Sequence, residues 1–430
     1  MKRLLALLLT PTLLFGFAAC GGNSGGDAVL ETEAPATLPP VTGFVVPEPM
    51  AERPSYVLTG EPTVRQMREM AIKAMQDMLS IQWTTDKVIN YNKTGAVSHK
   101  NYHYDPDTVY CGLPYADGQT NIYAWLEYYD YRCGQMKIED GAWLNTYLGN
   151  TCAGSLMWAW STVCDSLTGN YVNYNMVPQY GCIPVGDYKC DKMNILTSWK
   201  DYPTKRVCEE NGMQKMFECY ALIQMADAVT STTPEHTMMA IEDAVVVKDA
   251  NGNIDPLNSY IMVQDQAAGS GDKFYEHTGE DGRLYQYTGR TGPIALKCTF
   301  MWLYEKHYIP VTTSEFQGND PYVRPEVKCT AEQCEDLDQL FSANITSNYP
   351  MSVLKLYAKD SKGKTTQLHF RYFNRKDVGS GLARSFKLGT DRVDINTALE
   401  QLAAGEYTLI VEVTAPNGEI FTPVQAKYTK

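Results

Sequence analysis

Apolar positions Val64, Met67, Met70, Ala71, Ala74 and Met78 recur at three- and four-residue intervals behind Thr63. That spacing predicts one helix with a buried face and Thr63 as its N-cap. The aromatic run from residue 125 to 131 also reads as helical. From Cys152 to about Ser166 nearly every position is apolar or small, the pattern of a helix enclosed on all sides. A further helix is expected over 213–225, with Met216, Phe217, Tyr220 and Ile223 on its apolar side. Residues 245–247 and 259–266 read as strands around Asp249-Ala250-Asn251-Gly252, a hairpin turn signal. Residues 167–210 are turn-rich and read as an insertion.

Beyond Pro325 the pattern changes. Ile345, Leu354, Leu356, Phe370 and Tyr372, then Leu409, Val411 and Val413, fall in short alternating runs. Turns are expected at Asp360-Ser361-Lys362-Gly363 and Asn417-Gly418. This predicts a small antiparallel sandwich over 330–430. Tyr407, two residues after Gly405, resembles the tyrosine-bearing corner of immunoglobulin-like domains.

The first residues carry a different message. Lys2 and Arg3 precede an apolar stretch that ends at Ala18-Ala19-Cys20-Gly21. The stretch is too short to span a bilayer and has the make-up of a secretory signal. Its end resembles the bacterial lipobox, with Phe17 in place of the usual Leu, which implies Cys20 as the lipid-attachment residue. Residues 21–55 are rich in Gly, Pro, Ala, Thr and Glu and read as a flexible tether. The expectation is a lipid-anchored protein on the extracytoplasmic side of a bacterial membrane.

The 430 residues are 44% hydrophobic and 20% charged, enough for a full core and two domains. The net charge of −13 becomes −15 once Lys2 and Arg3 leave with the signal. No basic block is present, so nucleic acid is not an expected partner. The 12 cysteines, less Cys20, leave an odd number, and hence at least one free thiol or intermolecular bond. Cys182/Cys190, Cys208/Cys219 and Cys329/Cys334 are near enough in sequence to pair, and all could equally stay reduced. None shows the short paired spacings with His that mark a zinc site. No metal and no cofactor is expected.

Candidate chemistry centres on Cys152. Asn150 or Thr151 can cap the helix that follows, which places the thiol in the first turn, where unsatisfied N–H groups and the helix dipole favour a thiolate. Ala153 and Gly154 leave room for approach, and Met157, Trp158 and Trp160 anchor the helix. His236 opens a strand-like stretch and Asp265 lies near the end of the returning one. Side by side on paired strands, the carboxylate can orient the imidazole that deprotonates the thiol. A buried core cysteine and a structural histidine are the alternatives.

Gly112-Leu113-Pro114-Tyr115, Cys152 before small residues, Ala226-Asp227-Ala228-Val229, His236, and Asp265-Gln266 occur in that order. The order resembles the NlpC-type and CHAP papain-like peptidases and amidases of bacterial cell walls. Thr151, Ala153 and Glu235 stand where that family usually carries Asp, Ser and Gly. The resemblance implies an α+β papain-like domain over 56–320, ahead of an all-β immunoglobulin-like sandwich. It also implies amide hydrolysis with Cys152 as nucleophile, His236 as base and then acid, and Asp265 as orienting acid. Tyr115, Trp158 and Gln266 are the candidate substrate contacts, with plain packing the alternative for Tyr115. The implied substrate is a peptidoglycan stem or cross-bridge peptide. A binding-only descendant of the family and a protease acting on external protein are the alternative functions.

Overall fold

The computed structural model describes residues 50–430 apart from 92–101, 107, 116–119, 131–133, 137–148, 169–175, 191–202, 234, 268–274, 279–280, 288–294 and 374–382. Cys20, the signal and most of the tether lie outside the described residues. The architecture is mixed, with several sheets and few helices. No helix among the described residues is long and apolar enough to cross a membrane.

Helix Val64–Ser80 begins where the sequence predicts. Thr63 and Gln66 form a reciprocal capping box, and Met67, Ala71, Ala74 and Met78 are buried. The next helix spans Ile122–Leu126, earlier than the aromatic run suggests, because Asn121 accepts from the Ala124 N–H and sets the start there. Part of the expected helix is instead a short strand, Tyr129–Asp130.

Helix Cys152–Ser161 is buried at every position. It stops short of Ser166. The Ser161 and Thr162 hydroxyls bond back to the carbonyls of Trp158 and Ala159, each at 2.7 Å, a local competition that ends helices. The helix expected over 213–225 is shorter, Met213–Tyr220, and is preceded by Pro203–Asn211.

The main sheet is antiparallel throughout. Its order is Leu296–Thr299, Tyr260–Gln264, His236–Ala240, Ala228–Ser231, Ile309–Thr313, Cys182–Pro184. Its edge strand Cys182–Pro184 lies in the stretch expected to be an insertion, so that stretch contributes to the main sheet. A second six-stranded sheet, mixed in direction, holds Gln82–Thr85 and Val109–Cys111 at its centre. One hydrophobic cluster joins both sheets to the Cys152 helix.

A separate cluster fills the C-terminal domain. A five-stranded sheet runs Gln333–Cys334, Ile420–Thr429, Glu406–Thr414, Val353–Asp360, Thr365–Tyr372, its first pair parallel, beside a three-stranded sheet. Helices Leu337–Ser342 and Arg392–Leu399, which bury Leu340, Phe341, Ile395 and Leu399 in the same cluster, correct the all-β expectation. The turn after Asp360 is closed by Asp360 N–H to Lys364 O at 3.0 Å. The Tyr407 hydroxyl donates to Ala403 O at 2.9 Å.

Candidate active site

Cys152 is the first residue of its helix. Thr151 is the N-cap, its hydroxyl accepting from Gly154 N–H at 3.2 Å, while its carbonyl accepts from Ser155 N–H at 2.9 Å. The N–H groups of Cys152 and Ala153 therefore head the helix, ahead of its first bonded donors. The loop before it is held firmly. Asn150 Oδ1 accepts from Thr151 N–H at 2.9 Å, Asn150 Nδ2 donates to Thr120 O at 3.1 Å, and Gly149 N–H donates to Thr120 Oγ1 at 3.0 Å.

His236 is the first residue of strand His236–Ala240. Its antiparallel neighbour Tyr260–Gln264 ends one residue before Asp265, with Gln264 opposite Met239. This register carries Asp265 to the imidazole, and His236 Nε2 and Asp265 Oδ2 are hydrogen-bonded. Cys152 is near enough to the imidazole to add to the raising of its pKa. Cys152, His236 and Asp265 thus form a continuous line drawn from a helix and two strands. Cys152 and His236 are 1% and 5% exposed, so the three residues are buried.

Electrostatics favour a charged imidazole. Burial lowers the His236 pKa, but the Asp265 carboxylate and its hydrogen bond, with help from Cys152, outweigh it and raise it to about 9. At four other thiols burial is the largest cause of the shift. Cys111, Cys182 and Cys208 are pushed up to about 12, and Cys219 to about 11. No disulfide joins any two of the ten described cysteines.

The three expected substrate contacts fare differently. Tyr115 is half-buried and bridges Asn150 in parallel, next to the nucleophile. Trp158 is a correction. It is 1% exposed and packs edge-on against Tyr56 and Tyr123, so it has no surface to offer a substrate. Gln266 is also corrected: it is buried, and its side-chain amide donates to Leu113 O. It ties the acid-bearing strand to the Gly112–Tyr115 segment instead of reaching outward.

Two supports escaped sequence reasoning. Arg68 lies on the buried side of helix Val64–Ser80, paired with Asp227 at 2.7 Å and donating to Phe316 O at 2.9 Å. A charge interrupting an apolar face was its only trace in the sequence. Trp160 donates its indole N–H to Ala226 O at 2.7 Å, and no spacing rule marks that partner. Among the described residues no group of three or more His, Cys, Asp or Glu side chains is placed to hold a metal ion. No protein-family model, curated protein or solved structure matches the chain.

Proposed function

We propose that this protein is a cysteine hydrolase of amide bonds, with Cys152 as nucleophile, His236 as general base and acid, and Asp265 as the orienting acid. The observation that carries the reading is the buried His236 bonded to Asp265 through Nε2, with Cys152, at the start of a capped helix, near enough to act on the imidazole. A structural histidine needs no thiol at a helix N-terminus beside it; a nucleophile does.

In this reading the thiolate attacks the amide carbonyl. The Cys152 and Ala153 N–H groups hold the oxyanion, each donor being worth about 10²–10³-fold in rate. The His236 imidazolium then protonates the departing amine, leaving a thioester on Cys152. The neutral ring next takes a proton from water as it attacks, and the thiol is restored.

The papain-like and immunoglobulin-like assignments belong to the same proposal. Ala226 and Glu235 have φ of 66° and 49°, a left-handed region that favours glycine. The resembling family carries glycine at the place of Glu235. The bond from Tyr407 to Ala403 O supports a tyrosine corner in the second domain. The signal and Cys20 support a lipid-anchored protein facing outward, and the family resemblance supports peptidoglycan peptides as substrate.

The test is mass spectrometry of wall fragments released by the tether-free protein beside its Cys152→Ala variant. Newly cut stem or cross-bridge peptides with the intact thiol alone are expected. Identical profiles from both proteins, together with no turnover of denatured protein substrates, would overturn the hydrolase reading.

A further inference from the structure

We infer that the C-terminal β domain is a working part of the hydrolytic site, holding the nucleophile helix Cys152–Ser161 at both ends; the inference rests on the hydrolase reading. At the N-terminal end the link starts at Ser352, just before strand Val353–Asp360. The Ser352 carbonyl accepts from Phe373 N–H of its own domain at 3.2 Å and from Asn121 Nδ2 at 3.3 Å. Asn121 is 4% exposed and also caps helix Ile122–Leu126 through its oxygen. Its neighbour Thr120 receives the Gly149 N–H on its hydroxyl and the Asn150 side-chain amide on its carbonyl. Asn150 in turn receives the Thr151 N–H. Four residues thus connect the β domain to the cap of the Cys152 helix.

At the far end the grip is direct. Arg384 Nη2 donates to Leu167 O at 2.8 Å and to Asp165 O at 2.5 Å, in the segment leaving the helix. The Tyr349 hydroxyl donates to Val323 O at 2.7 Å and lies 3.2 Å from Val163 O. These partners are backbone carbonyls, so the contact fixes the path of the chain and not merely a side chain. A thiol that must meet the His236 imidazole from a helix end is sensitive to such placement, because small displacements at a reacting group cost large factors in rate.

Asn121, Thr120 and Arg384 are positioning residues, and the reactivity of the thiol reads their effect. Asn121→Ser keeps a capping oxygen but cannot span to Ser352 O. Its Cys152 alkylation rate with iodoacetamide should fall about three- to tenfold, with a displaced pH profile. Lys355→Ala is the control. It removes the 2.6 Å interdomain ion pair with Glu127 and leaves both helix ends held, so thiol reactivity should stay at the wild-type value. If Asn121→Ser fails to fold, Arg384→Gln tests the other end by the same readout.

A fast wild-type thiol left unchanged in rate and pH profile by both end variants would overturn the inference alone. So would an equal loss in Lys355→Ala, which would mark a general effect of loosening the interface. A wild-type Cys152 no more reactive than free cysteine would overturn the hydrolase reading and this inference together.

Discussion

Trp160 and Ala226 are joined by an indole N–H to carbonyl bond of 2.7 Å, which ties the helix bearing Cys152 to the hairpin bearing His236. Ala226 N–H is itself bonded to Ala240 O at 2.7 Å, and Ala240 N–H to Asp227 O at 2.8 Å. This buried bond is therefore one of the links that set the spacing of Cys152 and His236. Trp160→Phe should destabilise by about 1–2 kcal/mol in urea unfolding, the cost of a buried carbonyl left without its donor. Cys152 alkylation should slow with it, and an unchanged rate would show that the spacing is set elsewhere.

The raised His236 pKa gives the site an alkaline limit. Raised from the ordinary 6.5 to about 9, it keeps the imidazolium charged through neutral pH and loses it as pH passes about 9. Stability follows the same sign. The contribution of protonated His236 is full below about pH 6.5 and is lost as pH rises through about 9. Hydrolysis and thiol reactivity should both show the descending limb. Asp265→Asn should move that limb to lower pH, and a limb that stays in place would remove Asp265 from its role.

Thiol selectivity is a separate consequence. Near neutral pH, burial keeps Cys111, Cys182, Cys208 and Cys219 protonated, while the proposed nucleophile Cys152 heads a helix near His236. Peptide mapping after brief iodoacetamide treatment should find Cys152 modified ahead of these four. Equal labelling of all five would contradict an activated nucleophile.

Arg68 and Asp227 form a buried ion pair whose side chains are 5% and 2% exposed. Burial raises the Asp227 pKa, against the pull of Arg68. Arg68→Met leaves that carboxylate without its cation and should destabilise by about 3–5 kcal/mol. The urea midpoint of Arg68→Met, compared with that of Arg68→Met combined with Asp227→Leu, checks this. The double variant should recover much of the loss.

Glu235 sits at φ 49° directly before His236. A non-glycine residue there costs about 1–2 kcal/mol, of which glycine's greater chain entropy takes back a part. Glu235→Gly should therefore stabilise by about 0.5–1 kcal/mol in thermal or urea unfolding. Ala226→Gly should gain less, because its methyl is fully buried.

Residue type and order were enough to bring Cys152, His236 and Asp265 forward, since a thiol at a capped helix start and a His–acid pair on returning strands are local patterns. What joins them was not legible. Arg68, Trp160 and Gln266 act on backbone carbonyls distant in sequence, and a carbonyl looks the same at every position. Helix ends were misjudged for a related reason. Asn121 and the hydroxyls of Ser161 and Thr162 decide them through single hydrogen bonds, beneath the reach of an apolar period. Trp158, expected both to anchor the helix and to contact substrate, does only the first, because the helix turns it into the core.

The domain junction also sets an order of events. Ser352, Arg384 and the Asn417–Gly418 turn, whose Asn417 carbonyl accepts from Tyr56 N–H at 2.8 Å, all come late in a chain made from its N-terminus. A side chain at Gly418 would meet the Tyr123 hydroxyl at 2.2 Å, so the turn fits that place only bare. The nucleophile helix is synthesised long before the parts that hold it. A chain cut short before the last hairpin therefore lacks the Asn417–Tyr56 contact while still carrying Cys152, His236 and Asp265.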